Sequence, residues 1–423
     1  MRVLLTGASG FIGSAVAQVL ARRGHEVVRV GRGAGADLHA DFAAAPSRDW
    51  WRERLAVIDA VVNAVGILRE TPQQTFDALH ARAPAELFHA CAAAGVQSVV
   101  QVSALGADED ARSRYHRSKK AADDALRALP LRAAIVQPSL VYGVQGTSAG
   151  LFNGLAVAPL LVFPEGGAMQ VQPVHVDEVA EGIVALVESP PPMPETFEFA
   201  GPQPLPLHEY LAQLRMRLGL RSRLRRVAMP GALFRFAARV AGRLPGSMLD
   251  AETADMLLAG NAARRNALPS VLGRAPRGPR DFLSPGDVPA ARTQAALFWF
   301  APLLRLSIAL VWIWTGIVSL GLYPVQQSYE LLAQVGLHGA AASWALYGAA
   351  LLDLVLGALT LAAPRAPGGW VWGAQLALIA GYTLLISVFL PAYWLHPYGP
   401  ITKNLPMMGA IGLLWALQAP RKG

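Results

Sequence analysis

Residues 2–13 read RVLLTGASGFIG. Val3–Leu5 is a short apolar run of the kind that forms a buried strand, and it passes straight into Gly7, Gly10 and Gly13. A helical run from Ser14 to Arg23 follows, closed by Gly24, and Glu26–Val30 reads as a second strand. In this strand-turn-helix-strand setting each glycine has a physical task. Gly7 allows the tight turn, Gly10 lets the main chain approach a pyrophosphate, and Gly13 lets helix and strand pack closely. The helix N-terminus offers unpaired N–H groups and a partial positive charge to phosphates.

Working outward, further strands are expected. One ends at Ala40-Asp41-Phe42; the others are Ala60–Asn63, Ser98–Val102 and Ala134–Gln137, with helices between them. That alternation predicts an α/β fold with a doubly wound parallel sheet, binding ligands at its carboxyl edge. Strand two ends in VRVGRG, and Arg32 stands where an NAD site usually has an acid, with Arg29 nearby. A guanidinium suits a 2′-phosphate, so NADP(H) is favoured over NAD(H). Asp41 is placed to reach the adenine amine.

SRYHRSKKAADDAL carries the chemistry. Tyr115 and Lys119, four residues apart on a helix, share a face. A phenol with a pKa near ~10 needs help to move protons at neutral pH, and an adjacent lysine cation is expected to lower it. Ser103, at a strand end twelve residues earlier, is expected to meet a substrate carbonyl. Cys91, the only cysteine, reads as helix core and allows no internal disulfide. His175 and Asp177 in PVHVDEVA read as a helix start, with no metal site expected.

TGASGFIG, VNAVGIL, VQVSALGA, YHRSK, QPSLVYG and PVHVDEVAEGI resemble the atypical extended short-chain dehydrogenases/reductases. Within them, the closest group contains the nucleotide-binding accessory subunit of respiratory complex I. The resemblance spans about 1–265. It implies a Rossmann domain with a small C-terminal substrate subdomain that includes FEFAGPQPLPLHEYL. It implies cofactor contacts from Gly7, Ser9, Gly10, Phe11, Ile12 and Gly13 in the first loop. Arg32, Asp41, Phe42, Ala64, Gly66, Lys119 and Pro138 complete the expected contacts, and Ser103, Tyr115 and Lys119 are the expected catalytic set. Some members of the group hold NADPH without turnover.

The 423 residues are 53% hydrophobic and 16% charged, with a mean hydropathy of +0.34 and a formal charge of +8. The apolar excess concentrates after Phe298, so a membrane-embedded second half is expected. Six arginines lie between Arg215 and Arg226. Then ALFRFAARVAGRL sets Arg235, Arg239 and Arg243 at i, i+4, i+8, with Leu233, Phe236, Val240 and Leu244 toward other faces. That segment reads equally as an interfacial helix on anionic lipid or as a subdomain helix showing its arginines to water. Nucleic acid is not an expected partner. The Pro-, Gly- and Arg-rich stretch 266–297 reads as a linker.

Four membrane spans are expected, near 304–323, 342–361, 370–390 and 404–419. Arg292, Arg365, Arg421 and Lys422 predict cytoplasmic termini, and Lys403 is an exception. The N-terminus lacks a signal-peptide pattern, so the front half is expected in the cytoplasm, on a bacterial-type inner membrane. WTGIVSLGLYP, GAALLDLVLGALTL and WLHPYGPITKNLP resemble the DoxX-like four-helix membrane domains, over about 300–420. Asp353, mid-span, is a functional candidate because an intramembrane carboxylate is costly. His396 and Lys403 are candidates to meet a quinone or lipid head group on the far side, or else to cap a helix and snorkel, and Glu330 and His338 can join them there.

Together these features predict a membrane-anchored NAD(P)H-binding oxidoreductase. It would act on a lipophilic carbonyl or quinone-type substrate, with Tyr115 as acid/base. The alternative is a non-catalytic NADPH-binding scaffold of a membrane redox complex. A third reading is a small transporter with a nucleotide sensor.

Overall fold

The computed structural model describes residues 1–243, 250–362 and 369–418. Leu244, Arg365, Ala419, Arg421 and Lys422 fall outside these. The chain divides into two compact units, Met1–Ala295 and Ala296–Gly423.

The first unit opens with β1 (Arg2–Thr6), α1 (Phe11–Arg22), β2 (Glu26–Gly31) and β3 (Leu38–His39). Next come α2 (Arg48–Leu55), β4 (Ala60–Asn63), α3 (Ala83–Ala94), β5 (Ser98–Val102), α4 (Arg114–Arg127) and β6 (Ala133–Pro138). β4 and β5 are buried along their whole length, as central strands covered on both faces must be. The third strand is shorter than expected. Asp41 accepts from Ala43 N (3.0 Å) and caps a 3₁₀ turn at Phe42–Ala44, which ends it early.

The second part of this unit contains β7 (Val141–Tyr142), α5 (Thr147–Val157), β8 (Leu160–Pro164), β9 (Gln170–Val171), β10 (Val174–His175) and α6 (Val176–Glu188). β11 (Glu195–Phe199), β12 (Leu205–Pro206), α7 (Leu207–Arg217), β13 (Arg225–Met229), α8 (Gly231–Ala241), α9 (Ala251–Ala259) and α10 (Leu268–Leu272) follow. The main sheet has seven parallel strands in the order β11-β6-β5-β4-β1-β2-β3. Strand order reverses between β1 and β4, so the loops leaving them diverge and open a crevice at the carboxyl edge. Val16 and Leu20 of α1 pack with Ile183 and Val187 of α6 on one face. Trp51, Leu87 and Leu126 from α2, α3 and α4 cover the other. A separate core gathers Tyr142, Phe152, Phe163, Tyr210 and Leu214 in the subdomain. The FEF of the expected subdomain segment lies instead in β11, paired with β6 of the main sheet.

The stretch 266–297 is not a free linker. Most of it belongs to the first unit: Leu268 docks on the α6 side, while Phe282, Leu283 and Ala291 join the subdomain core. Its arginines have specific work. Glu178 of α6 is fully buried, and it accepts from Arg274 Nη1 (2.8 Å) and Arg277 N (2.9 Å). A buried carboxylate without such partners would be costly.

The second unit comprises most of α11 (Val288–Ile317), then α12 (Val325–Gln334), α13 (Gly339–Ala362), α14 (Trp370–Phe389) and α15 (Asn404–Gln418). Three helical stretches among the described residues are long and apolar enough to cross a membrane: Val288–Leu322, Gly339–Ala362 and Trp370–Phe389. The fourth expected span is α15, whose 15 residues give about 22 Å of helix against a hydrocarbon core of about 30 Å. A buried polar chain joins three helices. Trp312 Nε1 of α11 donates to Gln375 Oε1 of α14 (2.8 Å), and Gln375 Nε2 donates to Thr360 Oγ1 of α13 (2.9 Å).

Candidate active site

The site begins with the first loop. Gly7 sits at φ +71°, and a Cβ there would lie 2.6 Å from the Ala64 carbonyl oxygen. A Cβ on Gly13 would lie 2.1 Å from the Gly7 oxygen. The turn and the close helix approach therefore both require glycine. α1 starts at Phe11 with no side-chain cap and no acid in its first turn, so its leading N–H groups remain for an anion. Ser9 and Gly10 are exposed beside it, while Ile12 packs on the core. The Phe11 ring lies against Gly143 and Gly146, where added Cβ atoms would come within 2.9 and 2.8 Å of it. These features fit a dinucleotide pyrophosphate.

Arg32 follows β2 and is exposed. With the Gln74 amide oxygen turned toward it, both guanidinium nitrogens bond at 2.8 and 2.9 Å. Gln74 had no signal in the sequence. The Asp41 carboxylate is used in its own cap, and Phe42 is buried edge-on against Trp51 (5.7 Å). The Phe42 side chain is therefore core.

At the carboxyl edge of β1, β4 and β5, Thr6 Oγ1 donates to Asn63 Oδ1 (2.6 Å) and Asn63 Nδ2 donates to Gln101 Oε1 (2.7 Å). Lys119 reaches this edge from α4. Its Nζ donates to the carbonyls of Val65 (3.2 Å) and Val102 (3.1 Å), and a Cβ on Gly66 would lie 3.1 Å from it. His80, in a π-helical turn at Asp77–Arg82, completes the clamp. Its Nε2 accepts from Ile67 N (2.9 Å) and its Nδ1 bonds Ser118 Oγ (2.9 Å), which donates to Tyr115 O (2.7 Å). Ala64 and Gly66 thus lie in a loop fastened from three sides. Pro138 ends β6, buried, and its carbonyl accepts from Leu105 N (3.1 Å).

Tyr115 is half-buried, edge-on to Phe76 (5.9 Å), His80 (5.5 Å) and His116 (5.3 Å). Its hydroxyl has no protein hydrogen bond among the described residues. The expected lowering by Lys119 does not occur in this arrangement. Burial pushes the phenol up to about 12, with a further push from Asp123. Burial also pulls the Lys119 ammonium down to about 8, although Asp123 opposes this. Ser103 is buried, and its Oγ donates to Asp123 Oδ2 (2.5 Å). Burial raises the Asp123 carboxyl to about 6, against the pull of Ser103 and Lys119. Asp123 was missed in the sequence, yet the signal was present: it continues the Tyr115, Lys119 series by four more residues.

His175 caps α6, accepting from Asp177 N at 3.2 Å, and Asp177 sits in the first turn beside Arg277. No metal-binding group of His, Cys, Asp and Glu occurs among the described residues. Cys91 is buried, and burial raises its thiol. In the second unit Asp353 is buried on α13, and one carboxylate oxygen lacks a partner. Glu330 and His338 share a pocket with Tyr329 and Ser343. His396, flanked by Tyr393 and Tyr398, and the exposed Lys403 are not among its lining residues.

A sheet wound about a β1–β4 switch point, with this loop and this lysine, defines a Rossmann-type nucleotide-binding protein. Residues 3–199 match the model of the NAD dependent epimerase/dehydratase family, and residues 309–412 match that of the DoxX-like family. Residues 3–199 thus form an NAD dependent epimerase/dehydratase-like domain, and a DoxX-like domain follows it in the sequence. It is 32% identical over 222 residues to NADH dehydrogenase (ubiquinone) 1 alpha subcomplex subunit 9, mitochondrial, of Arabidopsis thaliana, covering 48% of this chain and 54% of that one. It is 30% identical over 211 residues to a ceramide reductase of Caulobacter vibrioides, covering 44% and 61%. The chain thus spans little more than half the length of these curated relatives. Its fold matches UDP-glucuronic acid 4-epimerase from Bacillus cereus, solved with UDP-glucuronic acid and NAD. The TM-score is 0.52 at 15% identity, covering 71% of this chain and 100% of that one.

Proposed function

We propose that the first unit is an NAD(P)H-dependent reductase of a lipophilic carbonyl, quinones included, held at a membrane by the second. Tyr115, Lys119 and Ser103 are its working residues. The observation that carries the reading is the series Tyr115, Lys119, Asp123, spaced four residues apart on α4. It sets a protonated phenol, a buried ammonium and a carboxylate in line with Ser103 at the sheet's carboxyl edge. When bound, the nicotinamide supplies a hydride to the carbonyl carbon. Tyr115 gives its hydroxyl proton to the carbonyl oxygen, and its high pKa keeps that proton in place at neutral pH. Lys119 holds the loop after β4 through the Val65 and Val102 carbonyls, and its ammonium would meet the nicotinamide ribose. Ser103 donates its hydroxyl proton to Asp123 in this structure, so it would bond a substrate carbonyl by turning that O–H from Asp123 toward the carbonyl oxygen. Gly7, Gly10, Gly13 and the α1 N-terminus would hold the pyrophosphate. Arg32, braced by Gln74, supports NADP(H) over NAD(H). The relative named as a ceramide reductase, and the three apolar helices in this chain, support a substrate carried in lipid.

One observation favours a second reading. The Tyr115 pKa is raised and Lys119 is spent on carbonyls, which suits a site that holds a nucleotide without turnover. The likeness to a subunit of NADH dehydrogenase points the same way, toward a scaffold in a membrane redox complex. Either way we place the first unit on the cytoplasmic side of an inner membrane.

Exchange of bound nucleotide with labelled NADPH separates the two in the full chain purified in mild detergent. Exchange within seconds, with turnover lost but nucleotide retained in Tyr115→Phe, fits the reductase. Retention for hours in the wild type contradicts it.

A further inference from the structure

Residues 215–243 hold nine arginines and no acidic residue. Some of these serve the fold. Arg215 is buried and donates to the carbonyls of Ala156 (2.7 Å) and Ala158 (2.9 Å), and Arg217 Nε donates to Leu283 O (2.8 Å). Arg235 pairs with Asp255 (2.6 Å). Arg221, Arg223, Arg225, Arg239 and Arg243 are exposed and have no ion pair among the described residues.

Between these charges lies apolar surface turned outward. α8 packs inward through its small residues Gly231 and Ala238. Its large ones face out: Leu233 is 51% exposed, Phe236 60% and Val240 45%. β13, which ends two residues before α8 begins, pairs with β8. Along β8 the alternation sends Leu161 and Phe163 into the core and leaves Leu160 and Val162 exposed, with Val227 of β13 exposed opposite Val162. A single exposed Leu needs no explanation. Six large apolar side chains on three adjoining elements, interleaved with unpaired arginines, do.

We propose that this face, α8 with the β8–β13 edge, docks on the surface of an anionic phospholipid bilayer. Arginine beside outward Leu, Phe and Val is the composition of a helix lying in the head-group region, where cations are drawn to an anionic surface. A second copy of the chain would set arginine against arginine. The same chain carries three helices able to cross a membrane, so lipid is at hand. α9 links the docking face to the candidate site. It packs against α8, and its Glu252 accepts from Tyr115 N (3.1 Å), while its cap Asp250 pairs with Arg69 (2.9 Å). Docking stands whether or not Tyr115 turns over a substrate; only its service to a lipid-borne substrate rests on the proposed reductase.

The full chain suits a direct test because Cys91 is the only cysteine and is buried. Phe236→Cys is labelled with an environment-sensitive fluorophore in nanodiscs containing phosphatidylglycerol and nitroxide-bearing lipid. Met193→Cys, at an exposed position on a different surface segment, is the control. The proposal expects blue-shifted, lipid-quenched emission at position 236, little quenching at 193, and loss of the effect in R239Q/R243Q or at high salt. A blue shift without lipid quenching would mean that protein covers the face, and would overturn it. So would unshifted emission, or equal quenching in phosphatidylcholine alone.

Discussion

His80 Nε2 accepts the main-chain N–H of Ile67 at 2.9 Å, so a histidine with no motif around it holds the loop that leaves β4. An accepting Nε2 leaves the ring proton on Nδ1, facing Ser118 Oγ, which in turn donates to the Tyr115 carbonyl. One neutral imidazole thus ties the loop after β4 to the start of α4. Burial, and then the charge of Lys119, hold its pKa down at about 2.

This gives a signed pH dependence. The unfolded imidazole takes a proton near pH 6.5 and the folded one only near 2. Below pH 6.5 the unfolded state binds the extra proton, so stability falls with pH by up to about 1.4 kcal/mol per unit. His80→Gln removes this slope. Apparent melting temperatures between pH 7.5 and 5 should decline less steeply in the variant, although it starts lower at pH 7.5. Parallel declines would show that His80 is not the titrating group.

Gly13→Ala should abolish nucleotide binding while leaving the sheet folded, because its Cβ would lie 2.1 Å from a backbone oxygen that cannot swing away. Gly33→Ala, with nothing within 4 Å of the added carbon, should bind normally. Equilibrium binding of NADPH, with circular dichroism as the check on folding, decides it.

Arg32→Ser should weaken NADPH by about 10- to 100-fold, the worth of a charge-assisted hydrogen bond of about 1.5–3 kcal/mol, and leave NADH nearly unchanged. Equal loss for both nucleotides would assign Arg32 to the fold, through Gln74, rather than to the 2′-phosphate.

In the second unit, Gln375→Leu leaves the buried Trp312 indole N–H unpaired. An interhelical hydrogen bond of this kind is worth about 0.6–2 kcal/mol in a membrane protein. The variant should melt at a lower temperature in detergent, and an unchanged melting point would show that the link between α11, α13 and α14 carries no load.

What the sequence revealed, and what it hid, follows from the range of each interaction. β4 and β5 coincide with the expected runs Ala60–Asn63 and Ser98–Val102, because a strand buried on both faces is mostly apolar. The glycine loop was legible because sterics act within a few residues. The role of stretch 266–297 was not, since proline and glycine mark turns without saying whether those turns are packed; the deciding partner, Glu178, lies about a hundred residues away. Tyr115 and Lys119 were found by their spacing. The effect of one on the other was misjudged because it depends on carbonyls from Val65 and Val102 and on burial, both set by the tertiary fold. His80 and Gln74 gave no local signal at all. The orientation of α8 was left even by periodicity alone, since a helix shows two faces and only packing decides which one is inward.

Proton transfer from Tyr115 to a carbonyl reduced at this site can be followed directly. Full-length protein in nanodiscs, given NADPH carrying deuterium at the transferable position and a panel of lipid ketones and quinones, tests it by mass spectrometry of the lipid fraction. We expect deuterium in a reduced lipid with the wild type, and at least about a hundredfold less with Tyr115→Phe at unchanged nucleotide occupancy. Equal transfer by wild type and Tyr115→Phe would contradict it. Absence of transfer to every lipid, with nucleotide still bound, would contradict it as well and leave the scaffold reading standing.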